Sequence, residues 1–221
     1  MHLLLVCATA PECAWLRDRL PFAPLDAHTW RATRGEQVIT LLLSGVGMVN
    51  TAWHLGRFLA RETPDRAINF GIAGSFERDR ALGEVVEIRE EVLGEMGAAS
   101  PQGPLDLQAL GFPLFEQDGH PYYNHLPNPH APLGNWPQVR GLTVNQVHGT
   151  QPEIEATLAR WQPQVESMEG AAFFYAMLRA GVPFHALRGL SNYVEPRNRA
   201  AWQIGPAVEA VNRAVMTWVD R

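Results

Sequence analysis

"EQVITLLLSGVGMVNTAWHLGRFLARE", residues 36–62, reads as a strand, a glycine-rich turn and a helix in succession. The apolar run through Leu43 has the length and composition of a buried strand. It stops at Ser44-Gly45, and a helical pattern then continues until the chain approaches Pro64. The same grammar repeats outward in both directions. "LLLVCA" (3–8) is a strand before the helix "PECAWLRDRL" (11–20), which has Pro at its start. "RAINFGIAG" (66–74), "GEVVEIREEVL" (83–93) and "GLTVNQV" (141–147) are further strands. "TQPEIEATLARW" (150–161) is a helix with a capping box of Thr150 and Glu153. The strand "PQVESM" (163–168) leads into the helix "EGAAFFYAMLRAG" (169–181), closed by Gly181. The strand "PFHALRGLS" (183–191) and a last helix within 199–220 complete the chain.

Alternating strands and helices give an α/β fold with a largely parallel sheet covered on both faces. The 221 residues are treated as one domain, 1–221. Residues 94–140 break the rhythm, and eight of the 17 prolines fall in 101–137. The expectation there is a long loop carrying Phe112, Phe115, Tyr122, Tyr123 and Trp136, too many aromatics for a plain linker.

Composition narrows the function. With 46% hydrophobic residues the chain can bury a full core. A net charge of −5 with mixed signs argues against a nucleic-acid groove. Cys7 and Cys13 do not make a disulfide framework, and a reducing compartment fits better. "MHLLLVCATAP" has a short apolar run with no preceding Lys or Arg, so it reads as a buried strand rather than a signal peptide. No segment approaches the roughly 20 apolar residues of a membrane span. A soluble cytoplasmic protein with neither nucleic-acid nor membrane partners is the expectation.

Ligands in such folds sit beyond the carboxyl ends of the strands. "SGVGMVN" (44–50) is either a tight turn or a set of N–H groups for an anion or sugar oxygens. It is a poor dinucleotide fingerprint, because Asn50 replaces the third Gly. "GIAGSF" (71–76) is a second Gly-rich strand end. Glu169 stands at a helix start, where the macrodipole favours a charged carboxylate. It is either a cap or an acceptor for two vicinal hydroxyls. Glu12 is either a solvated first-turn carboxylate or a base that orients water. Asn192, in "RGLSNYVEPR" (188–197), either closes a strand or reads a ligand. His120, His125 and His130 lie in a Pro-rich loop with no regular element to hold metal geometry, and His148 is the histidine placed to line a pocket.

Taken in order, "AxxxE" ending at Glu12, "LLLSGVGMVNTA", "NFGIAGSF", "VESMEGAAFFYA" and "LRGLSN" resemble motifs of the purine nucleoside phosphorylase and methylthioadenosine nucleosidase superfamily. The likeness covers most of the chain and fails through 94–140. "GLTVNQVHGT" with "SNYVEPRNR" looks like the futalosine hydrolase branch. The resemblance implies a three-layer, nucleoside phosphorylase-like fold with a central mixed, strongly bent sheet flanked by helices. It implies a homodimer, a purine nucleoside substrate, and no metal or cofactor. Glu12 would orient and deprotonate water, Glu169 bond the ribose hydroxyls, and Met168 pack under the ribose. Val147, the backbone of His148, Ser191 and Asn192 would face the base. Ser44, Gly45, Ile72, Ala73 and Gly74 would floor the pocket.

Most members carry Asp where Asn192 stands. An amide cannot supply a proton formally, but it can accept from N7–H while donating to a 6-oxo group. That favours a 6-oxopurine nucleoside, and the resemblance to the branch implies futalosine, cleaved by water to hypoxanthine and dehypoxanthine futalosine in menaquinone biosynthesis. The carboxyphenyl group at its 5′ end would need a cation, for which Arg197 and Arg199 are the candidates, and an apolar slot walled by the loop 112–136. The alternatives are a methylthioadenosine/S-adenosylhomocysteine nucleosidase, a purine nucleoside phosphorylase, and more remotely a non-catalytic nucleoside-binding protein.

Overall fold

A computed structural model describes residues 1–219. Its strands are β1 (His2–Cys7), β2 (Ala23–Pro24), β3 (Thr29–Arg34), β4 (Gln37–Leu43), β5 (Arg66–Ser75), β6 (Val85–Leu93), β7 (Phe115–Gln117), β8 (His120–Tyr122), β9 (His125–Pro127), β10 (Gln138–Thr143), β11 (Val165–Ser167) and β12 (Phe184–Tyr193). Its helices are α1 (Ala10–Arg17), α2 (Met48–Leu59), α3 (Leu107–Leu110), α4 (Gln151–Trp161), α5 (Gly170–Ala180) and α6 (Ile204–Val219).

The main sheet has ten strands, in the order β11-β10-β6-β12-β5-β1-β4-β3-β2, with β9 beside β6. β4, β1, β5 and β12 run parallel, whereas β3 is antiparallel to β4 and β6 to β12. The sheet bends so strongly that β11, parallel to β10, also pairs antiparallel with β5. That closure sets Glu166 opposite Gly74. The fold is thus the mixed, bent sheet between helical layers that the sequence indicates.

Alternation along β1 divides the core, since successive side chains in a strand point to opposite faces. Leu4 and Val6 pack with Leu55 of α2 and with Phe173, Phe174 and Met177 of α5. Leu3, Leu5 and Cys7 pack with Leu16 of α1 and with Val211 and Val215 of α6. Phe173 and Phe174 are fully buried, and truncating either to Ala removes on the order of 3–5 kcal/mol.

Two parts of the chain differ from the sequence expectation. The first is the hairpin β3–β4, which was not foreseen. It turns at Gly35, whose φ of +57° suits a residue without Cβ. The second is 94–140, expected as a long loop. It contains α3, the β7–β8 hairpin, β9 and the start of β10. Buried Asn124 pins it by donating to the carbonyls of Leu93 (2.7 Å) and Met96 (2.8 Å) and accepting from Leu107 N–H (2.8 Å). Buried Glu87 accepts from Leu133 N–H (3.0 Å), Gln138 Nε2 (2.9 Å) and His185 Nδ1 (2.8 Å). Three of its aromatics pack on the core, whereas Phe112 is exposed: Phe115 stacks on Tyr122 at 4.4 Å, and Trp136 packs against the β1–α6 core.

At the start of α4, Thr150 Oγ1 donates to Glu153 Oε2 (2.6 Å), so the two side chains bond each other rather than forming the expected capping box. The reciprocal contact from a helix-start glutamate occurs instead on α1, at Glu12.

Candidate functional site

A cavity of about 380 Å³ opens at the carboxyl ends of β1, β5, β11 and β12. This is the size of a small-molecule site. β5 is its ruler. Gly71 and Gly74 are three residues apart, about 10 Å along a strand, and a different polar group stands over each.

Over Gly71 is Glu12. Its Oε2 accepts from Thr9 N–H (2.8 Å) and Thr9 Oγ1–H (2.9 Å). Its Oε1 faces the Ile72 N–H at 3.4 Å and lies 2.7 Å from where a Cβ on Gly71 would stand. One oxygen is therefore pinned and the other is aimed into the cavity, where only a glycine leaves room for it. A carboxylate held this way can orient and deprotonate water.

Glu169 caps the start of α5. Its Oε1 accepts the Gly47 N–H at 2.8 Å. Gly47 has φ +86°, a conformation that favours glycine, and this aims the N–H at the carboxylate. The sequence leads one to expect a helix N-terminus that keeps Glu169 charged. Burial outweighs it and pushes the carboxyl above the usual range, although the Gly47 N–H and the nearby Arg188 pull it back; Glu12 adds to the rise.

Over Gly74 a Cβ would meet Asn192 Nδ2 at 3.0 Å and Glu166 Cγ at 3.6 Å. Asn192 Oδ1 accepts from Ser191 Oγ–H (2.8 Å), and its Nδ2 donates to the Tyr193 carbonyl (3.0 Å). Glu166 is almost fully buried and accepts from His148 N–H (3.2 Å) and Nδ1 (2.6 Å). That bond raises the His148 pKa above its ordinary value, against the effect of burial. His148 Nε2 meets Thr157 Oγ1 at 2.7 Å.

Of the residues singled out in the sequence, Glu12, Ile72, Ala73, Gly74, Val147, His148, Met168, Glu169, Ser191, Asn192 and Arg197 line this cavity. Ser44, Gly45 and Arg199 do not. Ser44 is fully buried, its hydroxyl turned to the carbonyls of Cys7 and Gly45. Gly45 packs on Asn50 at the bend. These two build the turn, and their neighbours Val46 and Gly47 reach the site. Arg199 opens an exposed helical turn. The loop 112–136 lends no residue to the cavity lining either; Trp202, Ile204 and Val208 stand beside Arg197 instead. The loop histidines do not converge. His125 bonds Glu90, His120 the carbonyl of Asp118, and His130 faces the Phe184 ring. Among the described residues no group of three His, Cys, Asp or Glu could hold a metal.

Four buried charged residues, Glu87, Glu91, Glu166 and Arg188, escaped the sequence reading. Besides Glu166, Arg188 is buried behind the cavity, bonded to Asn69 Oδ1 and to the Leu187 carbonyl. Fully buried Glu91 lies under Gly170 and Gly141, where a Cβ would meet its Oε1 at 1.8 Å and 2.7 Å. Its Oε2 accepts from Thr143 Oγ1–H (2.8 Å), and Thr143 Oγ1 accepts from Ala171 N–H (2.7 Å). For Arg188 the signal available was a lone arginine in the apolar stretch "ALRGL"; Glu87 and Glu91 share β6 with Arg89 and Glu90, so their spacing singled neither of them out.

Known proteins share both the fold and the sequence. The family model described as Phosphorylase superfamily matches residues 2–134. A futalosine hydrolase of Thermus thermophilus is 35% identical over 218 residues, covering 96% of this chain and 92% of that protein. The native structure of a futalosine hydrolase of Helicobacter pylori superposes with TM-score 0.80 at 13% identity, covering 100% of this chain and 97% of the other. A methylthioadenosine/S-adenosylhomocysteine nucleosidase of Colwellia psychrerythraea in complex with adenine superposes with TM-score 0.79 at 18% identity, covering 100% and 95%. With its sequence matched along nearly the whole length, the chain belongs to the phosphorylase superfamily, in the family of the futalosine hydrolases.

Proposed function

We propose that the protein hydrolyses the N-glycosidic bond of futalosine, releasing hypoxanthine and dehypoxanthine futalosine. The observation that carries this reading is the Glu12 carboxylate, pinned by Thr9 and aimed over Gly71 into a largely acidic cavity. Glu12, Glu166, Glu169 and Glu195 line it against one arginine, Arg197. Phosphate would be repelled there, whereas water is activated by Glu12.

In the reaction, positive charge grows on the ribose and negative charge on the departing base. Glu12 takes the proton of the attacking water. Glu169 accepts from the ribose hydroxyls, and its negative charge stabilises the cationic sugar. Asn192 donates to the 6-oxo oxygen, which carries much of the departing negative charge, so a 6-oxopurine leaves as its anion without a carboxylic acid; solvent then supplies the N7 proton, and the amide oxygen accepts from N7–H. The 5′ substituent lies toward Trp202, Ile204 and Val208, with its carboxylate on Arg197.

The adenine-bound nucleosidase among the relatives in fold keeps a second reading in view, in which the base is a 6-aminopurine. The test is base release from futalosine, inosine and methylthioadenosine, each with and without phosphate. Hypoxanthine from futalosine, indifferent to phosphate and lost in E12Q, is the expected result. Adenine from methylthioadenosine alone would move the protein to the second reading, and release only with phosphate would make it a phosphorylase.

We also assign the protein to a homodimer. Val49 and Trp53, one turn apart on α2, are 81% and 63% exposed. Val49 borders a groove of about 580 Å³ with Met48, Met96, Leu114 and Tyr175, an apolar face that a second copy would cover. Light scattering on wild type and V49E checks it: the expected result is a dimer that the variant dissociates. No helix among the described residues is long and apolar enough to cross a membrane.

A further inference from the structure

Glu166 has a role that neither the water-activating Glu12 nor the ribose-facing Glu169 fills. It lies in the middle of β11, the strand that closes the sheet onto β5, and only 4% of it is exposed. Its carboxylate reaches the cavity wall beside Asn192. Every partner it has in the protein is a donor from His148, the backbone N–H and Nδ1. His148 is in turn held by Thr157 at the other ring nitrogen. The carboxylate is thereby fixed in place, and what it presents to the cavity is acceptor only. The His148 N–H is taken by this carboxylate and offers the ligand no donor.

A 6-oxopurine and a 6-aminopurine differ at two adjacent atoms. The first carries a proton on N1 beside its oxygen; the second carries a lone pair on N1 beside its amino group. Asn192, with an amide oxygen and an N–H to spare, suits the N7 and 6-oxo edge. The next position round the ring is N1. Resting on the function proposed above, we propose that Glu166 is the specificity-determining residue for the base: its carboxylate accepts the N1–H of a 6-oxopurine, while Asn192 reads the adjoining N7 and 6-oxo edge. A 6-aminopurine would set the N1 lone pair against a buried carboxylate whose oxygens already accept from His148. Sites that pair a buried polar group with the substrate reject analogues that leave it unpaired by large factors, on the order of 10²-fold or more.

The experiment uses three nucleosides: futalosine, its N1-methyl derivative and its 6-amino analogue. Base release is measured with wild type and E166Q, and the binding of free hypoxanthine and adenine is titrated calorimetrically. Wild type should favour futalosine over both analogues by on the order of 10²-fold in kcat/KM. In E166Q the ratio of futalosine to the 6-amino analogue should fall at least about tenfold, because a carboxamide can turn its NH2 toward an N1 lone pair. Free-base binding should shift in the same sense. Equal turnover of the N1-methyl derivative by wild type would overturn the proposal without any variant, so a poorly folded E166Q leaves it testable. An unchanged ratio in a folded E166Q would overturn it too. If wild type cleaves futalosine normally in either case, the proposed function survives while the role of Glu166 does not. If wild type releases only adenine, both are wrong.

Discussion

The Glu169 carboxylate accepts the backbone N–H of Gly47 at 2.8 Å, across 122 residues of chain. The bond joins the turn after β4 to the start of α5. It leaves Glu169 half-buried yet supplied with a donor, so the carboxyl can still ionise for the ribose hydroxyls.

Burial raises the Glu169 pKa, and its working form is the carboxylate. The proton is therefore retained to higher pH than on an ordinary glutamate, and activity falls as pH drops through the raised value. We expect the acid limb of the kcat/KM profile to lie above the usual carboxylate range, and to be absent from the residual activity of E169Q. A profile flat down to the ordinary range would place the limb elsewhere.

Glu91 is fully buried with its Oε1 unbonded, and burial pushes its pKa up to about 7. The unfolded chain releases this proton near the ordinary value of 4.5. Between those two values the folded state binds more protons than the unfolded one, so this group makes stability fall as pH rises through the window. The E91Q variant keeps the shape without the charge. Urea unfolding should show it more stable than wild type at pH 8, by up to about 3 kcal/mol, and level with it at pH 4.5. A less stable E91Q at pH 8 would mean that the charge is needed, through Arg188.

Arg197 lines the cavity beside Trp202, whereas Arg199 does not reach it. R197A should raise KM for futalosine about tenfold, the worth of a charged hydrogen bond, and leave inosine, which lacks the 5′ carboxylate, unchanged. R199A should match wild type on both. Steady-state kinetics on the two substrates decide between the arginines.

Exchanging Asn192 for Asp would set a carboxyl beside Glu166, and the like charge would help it keep a proton for N7. N192D should therefore release adenine from methylthioadenosine at least about tenfold faster than wild type. The double variant N192D/E166Q should fall short of the product of the single effects, since E166Q removes the like charge that holds the proton on the new carboxyl. Additive effects would separate the two residues functionally.

Glu12 shows how a residue type and its position can point to a role while leaving the geometry open. A glutamate in the first turn of a helix after a buried strand is visible in the sequence, but a solvated carboxylate and a water-orienting base look alike there. The Thr9 donors and the gap over Gly71 separate them, and both are contacts in space. Ser44 and Gly45 erred in the other direction: the motif is local and readable, but the bend turns them inward and passes the site to Val46 and Gly47.

By itself the sequence determined the alternation of strands and helices, the Gly-rich strand ends and the acidic residues at helix starts, because periodicity, turn chemistry and caps act over a few residues. What only the tertiary structure decided was the closure of β11 onto β5, which sets Glu166 and Asn192 over the same glycine. It also decided the inward packing of Phe115, Tyr122 and Trp136 and the burial of Glu91 and Arg188. These depend on sheet curvature and on which neighbours exclude water, and such long-range packing leaves no periodic trace in the chain.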